Sequence, residues 1–344
     1  MKTLKTAALL ATLLVGAGTA SHAAVPVNYY KSIDGKSGRA LKDALHELAK
    51  NHTVLTYGSL WRYFPQTDRY PNNTSRVWDM YSNKTYYFNG ISAVSGMNKE
   101  HSLPKSWWGG TTVDAYTDLN HLYPSDGEAN SAKLNYPLGE VNTIAFDNGS
   151  CKTGTPVAGQ GGGSSVVFEP ADEYKGDFAR TYFYMATCYQ DYTWKYTYML
   201  SNNSWLTLNV WSVDLLLRWA RQDPVSDKEK DRNDAVYRCQ NNRNPFIDNP
   251  ELIEYIWGNK TGQVFNLDGD VSGDGSPQLI TPTQGTELDF GEVGLGKSIS
   301  YTVYIKGENL TNNLSVQTYR YDYKMFTTSV SSIDRTVTNQ GHRM

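Results

Sequence analysis

The segment Gly96-Met-Asn-Lys-Glu-His-Ser-Leu-Pro-Lys105 places an acid, Glu100, next to a histidine, His101, at the end of a predicted strand over residues 91–101. Histidine can be neutral and basic at pH 7, and a carboxylate is a good ligand for a hard divalent cation. Neighbouring side chains of a regular strand point to opposite faces, so both can reach one site only if the strand bends or ends there. Pro104 favours such an ending.

A second polar segment follows: Asp118-Leu-Asn-His-Leu-Tyr-Pro-Ser-Asp-Gly-Glu-Ala-Asn-Ser-Ala-Lys-Leu-Asn-Tyr-Pro-Leu-Gly-Glu140. Its pattern predicts a strand over 118–123, an Asp-Gly turn and the start of a short helix that carries Asn130. Asparagine offers a neutral oxygen ligand to a metal, although it also commonly caps a turn. The two segments together predict two strands followed by a helix.

Helical signals surround these segments. The spacing of apolar residues predicts a helix from Ser37 to Lys50, and Ser226 followed by Glu229 is a capping box whose helix turns Arg232 inward. Further helices are predicted from 172 through 189, around 213–220 and over 250–258. Few strands are predicted in this part of the chain, so the fold class is α+β.

The two ends of the chain differ from this middle part. Lys2 and Lys5 precede an apolar run and small residues up to Ala24, which predicts a secretory signal peptide over 1–24. We therefore expect an exported protein, secreted, periplasmic or at the cell surface, without a membrane span. Domain boundaries are predicted at 25–266, with an Asp-, Gly- and Ser-rich linker over 267–278.

Residues 279–344 alternate apolar and polar side chains, as in Ile299, Tyr301 and Val303, which predicts an all-β sandwich. An immunoglobulin-like sandwich takes roughly 100 residues, so we expect this one to be small and truncated. The segment 288–298 resembles the opening of modules appended to secreted enzymes of Bacteroidetes-type bacteria. Such modules hold or space an enzyme, so contact with a cell surface or glycan is expected of it.

Composition restricts the classes of function. Lys and Arg number 32 against 35 Asp and Glu, for a net charge of -3, which excludes a protein that binds nucleic acid by bulk charge alone. Residues 25–270 carry 24 basic and 28 acidic residues. Three cysteines, Cys151, Cys188 and Cys239, permit at most one disulfide, and we expect buried or free thiols.

The two quoted segments resemble the bacterial endonuclease I family of secreted and periplasmic nucleases. Phe168-Glu-Pro-Ala-Asp-Glu-Tyr-Lys-Gly-Asp-Phe-Ala-Arg180 and Gln240-Asn-Asn-Arg-Asn-Pro-Phe-Ile-Asp248 are also similar to that family, so the resemblance covers roughly residues 28–260. It implies a ββα-metal (His-Me finger) nuclease domain that hydrolyses DNA and RNA without sequence specificity and leaves 5′-phosphate ends. A monomer is expected.

The resemblance also implies residue roles. Glu100 and Asn130 would hold Mg²⁺, or another divalent cation such as Mn²⁺ or Ca²⁺, and His101 would be the general base. Many family members carry histidine where this chain has Asn120, so a role at that position does not carry over. His121 and Asp118 are expected to support the site. Phosphate contacts are predicted for five basic residues of the family-like segments: Arg180, Arg243, Arg232, Lys105 and Lys133.

Two alternatives remain open from the sequence. One is a noncatalytic secreted protein whose Tyr-rich domain and sandwich bind a glycan or another partner. The other is a zinc hydrolase that uses His101 and His121, although the chain has no HExxH-type spacing and zinc sites take three nitrogen, sulfur or carboxylate ligands.

Overall fold

The computed structural model describes residues 25–26, 28–111 and 113–267. Beyond these it describes short segments: 278–281, 298, 300, 303–308, 313–315, 329, 331–335 and 342–343. The described residues fall into two compact units, one that ends at Leu267 and one that contains the described segments after it. The predicted signal peptide and nearly all of the predicted linker lie outside the described residues.

The described part of the larger unit is rich in helices. They are α1 (Gly38–Lys50), α2 (Phe64–Thr67), α3 (Gly127–Lys133), α4 (Lys175–Cys188), α5 (Val210–Gln222), α6 (Asp227–Gln240), α7 (Pro245–Asp248) and α8 (Leu252–Ile256). Helix α4 is the centre of the core, because every residue after Lys175 is buried. Helices α1 and α5 pack against it with their apolar faces. None of the helices in the described residues is long and apolar enough to cross a bilayer.

The strands form small antiparallel sheets. They are β1 (Arg69–Tyr70), β2 (Asn73–Val77), β3 (Met97–His101), β4 (Leu122–Asp126), β5 (Val141–Asp147), β6 (Lys152–Pro156) and β7 (Val167–Glu169). Strand β1 pairs with β2, β3 with β4, and β5, β6 and β7 form a sheet in that order. The mixture of helices and antiparallel sheets is consistent with the predicted α+β class.

The β3–β4–α3 unit positions the candidate site. In its register Glu100 lies opposite Tyr123 and His101 opposite Leu122. Helix α3 begins directly after β4, and the Asp126 side chain caps it by accepting hydrogen bonds from the amides of Glu128 and Ala129. The end of one strand and the first turns of one helix are thereby held side by side.

Several sequence predictions are confirmed and two are shifted. Helix α1 and the capping box at Ser226 form as predicted. The first predicted strand is wrong over 91–96, because the strand that pairs with β4 covers only Met97–His101 and Ser92 makes just an isolated bridge to Asn89. The second starts later than predicted, because Asp118 accepts a hydrogen bond from the Asn120 amide and so forms a turn.

The described segments of the smaller unit contain β8 (Gln278–Thr281), β9 (Tyr304–Glu308), β10 (Leu314–Ser315), β11 (Ser332–Ile333) and β12 (His342–Arg343). Strands β12, β9 and β8 form an antiparallel sheet in that order, and β10 pairs with β11. Residues 319–323, which alternate in the sequence, lie outside the described residues. The sandwich therefore stays a prediction.

Candidate active site

A cleft of about 550 Å³ opens beside the β3–β4–α3 unit. Four of the sequence-predicted residues line it together: Glu100, His101, Lys105 and Asn130. The cleft is also lined by Tyr57, Trp61, Met97, Asn98, Lys99, Pro104, Ser131, Leu134 and Asn135. Strand β3 ends at His101, and the two neighbouring residues Glu100 and His101 both line the cleft, as a strand ending there predicts.

Glu100 is a buried carboxylate with one paired oxygen. Its Oε1 lies 2.7 Å from Nζ of Lys133, whose side chain is fully buried. Burial raises the pKa of Glu100, while Lys133 and Lys105 oppose that rise by favouring the ionised carboxylate. Lys133 is not among the residues that line the cleft. The predicted phosphate contact of Lys133 does not fit this position, because its buried ammonium group compensates the charge of Glu100.

His101 is held in one tautomer. Its Nε2 lies 3.0 Å from the carbonyl oxygen of Tyr116, and a carbonyl can only accept, so Nε2 carries the proton and donates it. The acceptor nitrogen is then Nδ1, to which no described residue donates a hydrogen bond. The ring stacks on that of Tyr116, with 5.3 Å between centroids. Burial lowers the pKa of His101 to about 3, so the imidazole is neutral at pH 7.

Asn130 lies in the middle of α3 and is half-buried. No described residue makes a hydrogen bond to its side-chain amide, so the amide oxygen is available to coordinate a cation. Together with the carboxylate of Glu100 it offers oxygen donors, which Mg²⁺, Mn²⁺ and Ca²⁺ prefer. The cleft has room for the water ligands that such ions keep. These two residues therefore fit a hard divalent cation.

His121 and Asp118 lie behind the cleft, not in its lining. His121 is fully buried, and its Nε2 lies 2.6 Å from the carbonyl oxygen of Ala115. The buried carboxylate of Asp118 accepts four hydrogen bonds, from the Asn120 amide, Gln240, Tyr184 and Tyr189. Asp118 therefore ties the segment before β4 to α4 and α6, whereas His121 bonds within that segment.

Asp118 also belongs to a group of potential metal ligands with His52 and Cys188, whose ligand atoms all lie within 4.8 Å of one another. The carboxylate of Asp118 already accepts hydrogen bonds at both oxygens. We therefore assign this group to the hydrogen-bonded core of the unit. Cys151, Cys188 and Cys239 are all free thiols, which confirms the expectation of buried or free thiols.

The three predicted phosphate-binding arginines are buried and ion-paired. Arg180 donates to both oxygens of Glu229, and Arg232 lies 2.8 Å from Asp68. Arg243 bonds to Asp234 and Asp248 at 2.7 and 2.6 Å. None of the three lines the cleft. This corrects the expectation that they bind phosphate oxygens, because their donors are engaged by carboxylates inside the fold.

Of the predicted phosphate contacts, Lys105 alone lines the cleft, and the structure adds Lys99. Lys105 is exposed, whereas Lys99 is half-buried with its Nζ 2.8 Å from the carbonyl oxygen of Tyr57. The Nζ of Lys99 also lies 3.8 Å from the ring centroid of Tyr57. The sequence could have indicated Lys99 as a residue of the site, because it is next to Glu100. Tyr57 could not have been predicted in this way, because it lies in a distant segment without a recognisable motif.

Comparison with known proteins agrees with this geometry. The family model described as Endonuclease I matches residues 37–251. An extracellular ribonuclease of Bacillus amyloliquefaciens is 39% identical over 235 residues, 67% of this chain and 78% of that protein. An extracellular ribonuclease of Bacillus subtilis (strain 168) is 36% identical over the same shares. A periplasmic deoxyribonuclease of Aeromonas hydrophila is 28% identical over 131 residues, 38% of this chain and 47% of that protein.

The fold and the cleft thus belong to a metal-dependent nuclease. The chain belongs to the endonuclease I family.

Proposed function

We propose that the protein is an exported, sequence-nonspecific endonuclease that hydrolyses phosphodiester bonds in both DNA and RNA. One observation carries this proposal: Glu100, Asn130 and His101 line one cleft, and Nδ1 is the nitrogen of His101 that is left to accept a proton. The names of the relatives support a broad substrate range, since they include both ribonucleases and deoxyribonucleases. Their extracellular and periplasmic names support export, and the predicted signal peptide supplies the route.

Glu100 and Asn130 would hold one divalent cation, with Mg²⁺ as the expected ion. When bound, the cation supplies positive charge that stabilises the phosphate in the transition state and the departing 3′ oxygen. We assign these residues to a ββα-metal (His-Me finger) site on β3, β4 and α3.

His101 is the proposed general base. Its Nδ1 would take a proton from the water that attacks the phosphorus, while Tyr116 holds the opposite side of the ring through its carbonyl. Lys133 would keep Glu100 ionised inside the fold. Lys99 and Lys105 are the proposed phosphate contacts, because they are the positively charged residues of the described cleft lining. Departure of the 3′ oxygen leaves a 5′ phosphate.

The test is degradation of plasmid DNA and of RNA, with and without EDTA, by the wild type and by His101→Ala. A positioned general base contributes roughly 10²- to 10⁴-fold, so we expect a loss of that order in kcat for His101→Ala. EDTA should stop both reactions. Lys230→Ala is a matched control, because Lys230 is an exposed side chain of α6 paired only with Asp227 among the contacts described.

Activity that persists in EDTA, or that survives His101→Ala unchanged, would contradict the mechanism. A wild-type protein that degrades neither polymer would favour the alternative of a noncatalytic binding protein. Analysis of the termini of the products separates 5′-phosphate from 3′-phosphate chemistry. Metal analysis showing one zinc per chain would favour the zinc hydrolase.

A further inference from the structure

Leu134 has an unusual backbone for its residue type. It follows α3 directly, with φ 48° and ψ -130°. The amide of Tyr136 donates to the carbonyl of Lys133 at 3.2 Å, so Leu134 is the first central residue of a tight turn. That position of a type II′ turn favours glycine, because a side chain there crowds the backbone. The chain therefore keeps a leucine where glycine would be less strained.

The residues on both sides of Leu134 are held by contacts with buried side chains. On one side, Lys133 is anchored by its ion pair with the buried Glu100. On the other side, the indole of Trp107 donates to the carbonyl of Asn135 at 3.2 Å, and Trp107 is itself fully buried. Leu134 thus lies in a turn whose flanking residues, Lys133 and Asn135, are both held by buried side chains.

The side chain of Leu134 gains no core packing in return for this strain. It is 55% exposed, although leucine is a residue that favours the core. It also lines the cleft beside Asn130 and Ser131. Strained residues cluster at sites where the strain serves binding, and apolar side chains at a nucleic-acid interface can press on or between bases. The strain, the exposure and the position at the cleft all fit a contact with substrate.

We propose that Leu134 is a substrate-contacting residue that packs on the face of a base next to the scissile phosphate. This proposal rests on the proposed nuclease function. The phosphate would be held by the charged residues of the cleft, and Leu134 would add an apolar contact that does not depend on base identity. Such a contact fits an enzyme without sequence specificity, since every base has an apolar face.

The experiment compares Leu134→Ala and Leu134→Gly with wild type on oligothymidylate, with steady-state kinetics and thermal unfolding. Alanine removes the side chain but keeps the strained φ, so we expect KM to rise about five- to tenfold with an unchanged melting temperature. Glycine also relieves the strain, so we expect the same rise in KM with a melting temperature about 2 to 4 °C higher. Ile144→Ala is the control, because Ile144 is equally exposed on β5 and does not line the cleft.

A KM of Leu134→Ala within twofold of the wild type would overturn the proposal. A second substrate, an oligomer of abasic tetrahydrofuran units, tests the base contact itself. There the variants and the wild type should cleave with the same KM. A loss for Leu134→Ala as large as on oligothymidylate would overturn the contact with a base. Wild-type protein that cleaves neither oligothymidylate nor plasmid would instead contradict the proposed function.

Discussion

At the scale of single residues, the site depends on one buried ion pair. Glu100 is a ligand candidate that lies largely inside the fold, and burial of its carboxylate raises its pKa. Lys133 meets it at 2.7 Å from a fully buried position. Two buried charges in contact compensate each other, whereas either one alone would carry the full cost of desolvation. We therefore propose that the lysine acts on the site through Glu100, as a positioning residue.

Lys133→Met should leave Glu100 buried without its counter-charge. Breaking a buried pair in this way costs about 3 to 5 kcal/mol of unfolding free energy, and the pKa of Glu100 should rise further. Urea unfolding and the pH profile of kcat measure the two effects. The double variant Glu100→Gln/Lys133→Met is the control, and it should be more stable than Lys133→Met but inactive. A single variant as stable and as active as the wild type would contradict the positioning role.

At the scale of elements, local signals predict some features and long-range contacts decide the others. The ββα order and Glu100-His101 could be predicted, because their residues are contiguous in sequence. Strands β5 and β6 carry no clear strand signal in the sequence, because β5 is mostly exposed and β6 is polar with a central Gly154. The buried arginines could not be separated from phosphate ligands by sequence, since their carboxylate partners come from distant segments such as Asp68 for Arg232.

Helix α6 shows how a local signal becomes part of the core. The amide of Glu229 donates to Ser226 Oγ, and the Glu229 carboxylate accepts from the Ser226 amide at 2.9 Å. The same carboxylate is bonded by the buried Arg180. The capping box therefore fixes both the start of the helix and the partner of an internal arginine.

Ser226→Ala should lower the unfolding free energy by about 1 kcal/mol, because it removes the side-chain cap while Glu229 keeps its pair with Arg180. The melting temperature should fall by about 2 to 4 °C. Lys230→Ala on the same helix removes only an exposed ion pair and should change the free energy by less than about 0.5 kcal/mol. Equal effects of the two variants would contradict a specific role for the cap.

At the scale of the whole molecule, the beginning and the end of the larger unit are joined, because residues 34–36 bond to residues 265–267. The carbonyl of Lys36 accepts from the Phe265 amide at 2.8 Å, and the Gly35 amide donates to the Phe265 carbonyl at 2.9 Å. The Leu267 amide donates to the Asp34 carboxylate. The ring of Phe265 is 2% exposed and packs edge-on against Tyr255. The last residues of the unit therefore belong to its core.

A protein that stops after Leu267 should fold and keep the kcat of the full chain, because it retains these closing contacts. A protein that stops after Gly262 loses the buried ring of Phe265, and a loss of that kind costs about 3 to 5 kcal/mol. Thermal unfolding and plasmid degradation by both proteins measure the difference. An inactive or unfolded protein ending at Leu267 would show that the unit depends on later residues.

The internal pairing of Arg180, Arg232 and Arg243 has a consequence for the way in which a long substrate would be digested. Residues 25–270 carry a net charge of -4, and these arginines neutralise carboxylates inside the fold. Because these arginines are engaged inside the fold, we expect the described surface to give little electrostatic hold for sliding along a polyanion. Each cut should then be followed by release of the fragments and a new encounter. We therefore predict distributive digestion, in which fragment lengths fall evenly across the whole pool of substrate.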